Sequence, residues 1–315
     1  MRIGTRRSAL ALAQAELVGR LLGDGCEIVP MVTRGDRANG PGDGTDEDKS
    51  RWVAELEDAL VRGDIDLAVH SAKDVPGELA HGLALLGAPA RAAAEDVLCG
   101  ADSLDALAPG ARVATSSVRR VAQLRAARED LDVVAIRGNV DTRLRKLSDP
   151  SERLDAIVLA HAGLQRLGRE NEAGAVLDLE RFVPAPGQGI LALEGRDDDQ
   201  HARKTVHAIT DANTFACLLA ERALAHELDA SCHTPLGAHA ASADGGRLLL
   251  RAWVGLPDGS VWIRDELVGE IHEPEAFGQR VAERLLAVGA GEMLKQAEET
   301  ACVLSCGHAI AHKSR

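Results

Sequence analysis

The chain has 315 residues, 45% of them hydrophobic and only 2% aromatic, with no tyrosine, so its cores are built from Ala, Leu, Val and Ile. That length supports two or three compact domains. The formal net charge of −13 excludes a general nucleic-acid binder, which needs a basic face to displace counterions from phosphates. The first apolar stretch, residues 8–22, is interrupted by Gln14, Glu16 and Arg20 and repeats Leu10, Leu17 and Leu21 at helical spacing. This predicts an amphipathic helix rather than a secretory signal, and no run is long enough to span a membrane. Six cysteines, at 26, 99, 217, 232, 302 and 306, are scattered through the chain, which favours a reduced compartment. A soluble, cytoplasmic protein is expected.

Down the first two-thirds, short β-branched runs alternate with helical patterns. "CEIVPMVT", "DLAVHS", "RVATS", "DVVAIRG" and "DAIVLA" read as buried strands, and the segments near 8–22, 51–62, 117–128, 139–147 and 161–168 as helices. Such alternation implies an α/β fold with parallel, doubly wound sheets and right-handed crossovers. Ligands then bind beyond the carboxyl ends of the strands. The segment "NGPGDGTDEDKS", residues 39–50, is a polar, acidic surface loop. The last third differs. A helix near 212–228 leads into "DASCHTPLGAH", two strands follow around the turn "PDG", and a helix covers 275–289. This is a small α+β domain.

Several strand ends carry polar groups that could do chemistry. In "VATSSVRRVAQLR", Thr115, Ser116 and Ser117 stand where a helix begins, and free N–H groups there favour an anion. Arg119 and Arg120 fall in that helix's first turn, where the helix dipole disfavours cations. They are either solvated surface arginines or ligands for an anion. "AIRGNVDTRLRKL" repeats the arrangement, with Arg137 at a strand tip, Asn139 in the turn and Arg143 about one helical turn inside. Arg166 follows "DAIVLA", and "IGTRRSALAL" puts Arg6 and Ser8 at another junction. Each alone reads as a surface arginine. Together they gather guanidiniums at neighbouring strand tips, which suits a small ligand rich in carboxylates or phosphates. "LAVHSAKDVPGEL" sets Lys73 beside Asp74. Asp74 is either a cap for the turn at Pro76 or an ionised carboxylate among cations. "PAPGQGILALEGR", 184–196, reads as a tight crossing between domains, with Gln188 between Gly187 and Gly189 and facing a cleft. Cys232 could be an apolar plug, a metal ligand, a nucleophile or an anchor.

These motifs, in this order, resemble the porphobilinogen deaminase (hydroxymethylbilane synthase) family of tetrapyrrole biosynthesis. The residues that carry the resemblance are "IGTRRSALALAQA", "MVTRGD", "VHSAKDVP", "TSSVRRVAQLR", "IRGNVDTRL", "VLAHAGLQRLG" and "PAPGQG", from residue 3 to about 240. The resemblance implies two domains like the lobes of a periplasmic binding protein, 1–88 completed by 189–207 and 89–188, and a third at 208–315. It implies a dipyrromethane cofactor held through a thioether by Cys232 and assembled from substrate. Porphobilinogen would then be the partner, added four times with loss of ammonia, and water would release hydroxymethylbilane. By the same match Asp74, Arg6 and Lys73 are catalytic, Asp74 stabilising positive charge on the pyrrole nitrogen. Ser8, Thr115, Ser116, Ser117, Arg119, Arg120, Arg137, Asn139, Arg143, Arg166 and Gln188 hold cofactor and substrate, and no metal is expected. Two places depart from the family: "TDEDKSRWVAELE" stands where a Gly-Lys-Gly-Phe-like segment is usual, Lys49 and Trp52 replacing the lysine and phenylalanine, and "ASC" replaces "GGC".

Two rival readings compete. A two-lobed carboxylate receptor without turnover fits the fold class, but gives no use to Cys232 or Asp74. A metal site could draw on His226, Cys232, His233 and His239. Alternatively it could draw on Cys302, Cys306, His308 and His312 of the tail, which share helical faces; a frayed tail is the preferred reading, because Gly307 interrupts that run. A monomer is expected.

Overall fold

The computed structural model describes residues 1–32, 50–231 and 234–299. Cys232 and His233, Lys49 with the rest of the acidic loop before Ser50, and Cys302, Cys306, His308 and His312 lie outside these described residues.

Thirteen strands fall in three sheets among the described residues. β1 (Arg2–Arg6), β2 (Glu27–Met31), β3 (Leu67–Ser71), β4 (Leu83–Gly87) and β10 (Leu191–Arg196) form a sheet of order β2-β1-β3-β10-β4. β5 (Asp96–Cys99), β6 (Arg112–Ala114), β7 (Asp132–Val134), β8 (Ala156–Ala160) and β9 (Ala175–Val176) form a second, of order β7-β6-β8-β5-β9. β11 (Leu236–Ala243), β12 (Arg247–Gly255) and β13 (Trp262–Glu270) make an antiparallel third. The helices include α1 (Ala9–Leu22), α2 (Ser50–Arg62), α3 (Val118–Ala127), α4 (Val140–Leu147), α5 (His161–Arg166), α6 (Gln200–His207), α7 (Ala212–Glu227) and α8 (Pro274–Ala287).

The expected α/β architecture is present, but the two large sheets are mixed rather than parallel. β1 runs parallel to β2 and β3, whereas β10 runs antiparallel to β3 and β4. Likewise β6 is parallel to β7 and β8, and β5 is antiparallel to β8 and β9. The reason is connectivity. The chain leaves the first sheet after β4, builds the second, and returns as β10, so the returning strand enters from the opposite direction. A second correction concerns residues 236–243. The loop expected around the cysteine, 229–239, ends sooner, because 236–239 open β11, which is paired along its whole length with β12.

Local chemistry sets the helix starts. Ser8, Ser117 and Asn139 accept from the backbone N–H groups of Ala11, Arg120 and Thr142, capping α1, α3 and α4, and so fix the backbone at three of the strand–helix junctions. β3 and β8 are buried along almost their whole length, as strands covered by helices on both faces must be. Ile3, Val18, Leu67, Val69, Leu191 and Leu193 pack one face of the first sheet, and Leu56, Leu60, Ile65 and Ala68 the other. The third sheet packs Leu248, Leu250 and Ala252 against Leu224 of α7 and Phe277, Val281 and Leu285 of α8.

Candidate active site

The strand ends of the two large sheets meet across a cleft in two adjoining halves, which share Leu10, Gln14 and Ser71. One half is lined by Arg6, Ser8, Val53, His70 and Asp74. The other, of about 100 Å³, is lined by Lys73, Arg120, Val140, Arg143, Arg166, Gly187 and Gly189. Gln14 divides them, its Nε2 donating to Ser71 Oγ at 2.8 Å. Lys73 and Asp74 lie in a short 3-10 turn at the end of β3, so neighbours in sequence face different halves.

Behind the cationic half stands a buried carboxylate that sequence reasoning missed. Asp96, at the start of β5, accepts from Arg119 Nη2 at 2.9 Å and from Arg120 Nε and Nη2 at 3.0 and 2.7 Å. Arg119 takes Oδ2 and Arg120 takes Oδ1; Gln188 Nε2 also donates to Oδ1, at 2.8 Å, while its Oε1 accepts from Lys73 Nζ at 3.4 Å. Burial pushes Asp96 up, but Arg119 and Arg120 outweigh it and hold the carboxyl well below the usual carboxylate range. Two guanidiniums against one carboxylate leave one positive charge over. This explains why two arginines tolerate the first turn of α3 against its dipole. Burial and the neighbouring Arg120 push the Lys73 ammonium down to about 8. Burial alone brings Arg166 to about 10, and burial with Arg120 lowers Arg143.

The crossing segment "PAPGQG" closes the site's floor. Gly187 and Gly189 have φ of 76° and 84°, the left-handed region that favours glycine. A Cβ at Gly187 would meet Ala72 Cβ at 2.9 Å, and one at Gly189 would meet Ala92 O at 2.6 Å. The segment is tied from beneath: Gly187 N donates to Glu221 Oε2 at 2.5 Å, and Arg91 bridges Gln188 O at 2.9 Å to Glu221 Oε1 at 2.6 Å.

Of the residues singled out from sequence, Arg6, Ser8 and Asp74 share one half, and Lys73, Arg120, Arg143 and Arg166 the other. Arg166 Nη2 donates to Gly189 O at 2.6 Å and Arg143 Nε to Gly138 O at 2.7 Å, which aims both guanidiniums from fixed stems. Arg119, Gln188 and Thr115 are buried behind the lining. Ser116 Oγ donates to Ile136 O and accepts from Ile136 N, joining the ends of β6 and β7. Arg137 and Asn139 are exposed, Asn139 serving as the α4 cap. His239, considered above as a metal ligand, is buried in β11, and burial together with Arg91 and Arg251 brings its imidazole down to about 3. The signal for Asp96 was available: an acid opening the apolar run "DVLC". Gln14, His70 and Glu194 sit inside runs that read simply as helix or strand.

Comparison with known proteins adds to this geometry. Residues 1–204 match the family description "Porphobilinogen deaminase, dipyromethane cofactor binding domain", and residues 215–287 match "Porphobilinogen deaminase, C-terminal domain". A protein of Stenotrophomonas maltophilia named porphobilinogen deaminase is 45% identical over 304 residues, covering 93% of this chain and 98% of its own. One of the same name from Brevibacillus brevis is 40% identical over 302 residues, covering 94% and 96%. Among solved structures, a nutrient binding protein from Burkholderia cenocepacia bound to methionine overlaps with a TM-score of 0.41 at 13% identity, covering 66% of this chain and 91% of that one.

Proposed function

The chain belongs to the porphobilinogen deaminase family, and from that premise we propose that it joins four porphobilinogens head to tail, releases ammonia at each step and frees hydroxymethylbilane by hydrolysis. The observation that carries this reading is the division of the cleft, with Asp74 and Arg6 in one half and Lys73, Arg120, Arg143 and Arg166 in the other. Porphobilinogen has an acetate, a propionate and a pyrrole N–H, and the two halves offer partners for all three. Planar guanidiniums take carboxylates through charge-assisted bonds, each contributing about 1.5–3 kcal/mol. Asp74 stabilises the positive charge that develops on the pyrrole as ammonia leaves, as a fixed, oriented anion does best.

The residues present also fit the dipyrromethane cofactor. It is another polycarboxylate, and the Nε of Arg166 is buried without a partner in the protein. Lys73, Arg120, Arg143 and Arg166 would hold its acid groups and Ser8 and Ser117 would support them, while Asp96 and Gln188 fix Arg120 in place. When bound, dipyrromethane supplies the pyrrole carbon from which the chain grows. Its anchor is Cys232 in this reading. Two of the other cysteines are poorly suited, because burial pushes the Cys99 and Cys217 thiols up to about 11 and about 12, far from the thiolate that such a bond requires. Three domains, 1–88 with 189–207, 89–188 and 208–315, go with this chemistry, and the return of β10 into the first sheet supports the split of the first. A cytoplasmic monomer completes the reading; no helix among the described residues is long and apolar enough to cross a membrane.

Intact-mass measurement tests the proposal. The purified protein should be heavier than its sequence by one dipyrromethane, and Cys232→Ser should remove the increment; an unmodified wild-type chain would sink the anchor. Asp74→Ala should abolish consumption of porphobilinogen while the protein stays folded, and near-normal turnover would refute the role given to Asp74.

A further inference from the structure

A buried acid–base couple stands behind the Asp74 half of the cleft. His70 lies in β3 and Glu194 in β10, where Ala192 pairs with His70, so Glu194 is two residues along on the same face. His70 Nε2 and Glu194 Oε2 are 2.8 Å apart, with the side chains only 4% and 0% exposed. Glu194 Oε1 is buried without a partner. Glu57 of α2 lies close enough that burial and the Glu194 charge together raise its carboxyl. Burying a carboxylate with one oxygen unsatisfied is costly, and the neighbouring position on that face is filled by Ala68 without any such demand. The packing therefore does not call for this pair.

His70 is one of the residues that line the half containing Arg6, Ser8 and Asp74. Its Nε2 lies at hydrogen-bond distance from Glu194, and a neutral ring pairs with that carboxylate by donating from Nε2. The other nitrogen, Nδ1, is what the ring has left to offer, and it can then only accept. An acceptor backed by a buried anion suits a cationic donor. Porphobilinogen carries one such group, the aminomethyl ammonium, and the opposite half, with Lys73, Arg120, Arg143 and Arg166, repels it.

We propose that the His70–Glu194 couple receives the aminomethyl end of the substrate, His70 Nδ1 accepting from the ammonium and Glu194 supplying the charge behind it. This rests on the deaminase reading above. Carboxylates then go to the guanidiniums of both halves, and the leaving group goes between Asp74 and the couple, where the developing charge must be stabilised. His70 touches the substrate, while Glu194 acts through His70 as a positioning residue.

The test uses the full-length, cofactor-loaded protein with Glu194→Gln and His70→Gln, alongside an analogue of porphobilinogen bearing methyl in place of aminomethyl. Glu194→Gln keeps shape and one hydrogen bond but removes the charge. Both variants should stay folded and loaded, judged by melting and intact mass. KM for porphobilinogen should rise at least ten-fold, the effect of losing one charged hydrogen bond, while the inhibition constant of the methyl analogue stays as in wild type. Wild-type KM in both variants would overturn the proposal. So would a parallel rise of KM and analogue inhibition constant, which means general damage to the cleft, or unfolding of both variants, which assigns the pair to stability. A wild-type protein that consumes no porphobilinogen would instead refute the deaminase reading itself.

Discussion

Lys73 is the residue whose charge the site leaves most open to change. Its ammonium, buried and beside Arg120, titrates near 8 instead of the ordinary 10.5. At pH 7 it is mostly charged and can bind a carboxylate; at pH 9 it is mostly neutral. The KM for porphobilinogen should therefore rise several-fold between pH 7 and pH 9, and Lys73→Arg, which keeps its charge throughout, should flatten that rise. A pH-independent wild-type KM would contradict it. The linkage to stability runs the other way. Because the folded-state value is depressed, the unfolded chain binds more protons between about pH 8 and 10.5, and folding stability increases with pH across that window. A KM and a folding stability that both rise with pH, substrate binding weakening as the fold strengthens, would separate Lys73's binding role from its structural cost. Asp96 shows the complementary logic. Its carboxyl stays charged because Arg119 and Arg120 surround it, so its depressed value adds stability that is lost only as pH falls below the ordinary carboxylate range.

At the scale of elements, the crossing segment and the short turn after β3 act as one unit. Gly187, at φ 76°, sits with its Cα against the backbone N of Lys73, which an added Cβ would approach to 3.0 Å. Gly187→Ala should cost more than the 1–2 kcal/mol of a left-handed alanine, because the turn holding Lys73 and Asp74 must also shift, and kcat should fall with it. Gly63→Ala is the control: its φ of 73° is similar, but nothing lies within 4 Å. Chemical denaturation of the pair measures the difference, and equal losses would show that the close approach does not matter. α1, α3 and α4 were legible in the sequence because Ser8, Ser117 and Asn139 mark their starts, whereas α6, at Gln200–His207, was not read from it. β5 was not, since four residues cannot establish a period, and its first residue, Asp96, spends its side chain on partners 23 and 24 positions away. β11 was hidden for a different reason. Apart from Leu236 and His239, "LGAHAASA" is all small side chains, with none of the β-branched residues that signal a strand, and β12 supplies the pairing and burial that make it one.

Across the whole molecule, the parts that the motifs announce are held in relation by parts they do not. Both chain crossings between the large sheets, 88–95 and 184–190, run past Arg91. Its backbone N donates to Thr214 Oγ1 at the start of α7 at 3.1 Å, its Nε to Gln188 O at 2.9 Å, and its Nη1 to Ala240 O of β11 at 3.1 Å. Glu221, fully buried in α7, answers it and also accepts from Gly187 N and Ala240 N. Burial pushes the Glu221 carboxyl up, and Arg91 opposes that as its first counterweight. Nothing in the linear sequence pairs residues 130 positions apart, so no motif revealed this joint. Removing one member of a buried pair strands the other and typically costs about 3–5 kcal/mol. Arg91→Ala should lose stability on that scale, and the loss should be uneven: the third sheet with α7 and α8 keeps its own core, whereas the crossings lose their tie to it. Scanning calorimetry should then resolve two transitions where the wild type shows one. A single transition shifted by only a few degrees would mean that the three sheets cohere without Arg91, through contacts such as the one between Arg125 and the backbone of Pro257.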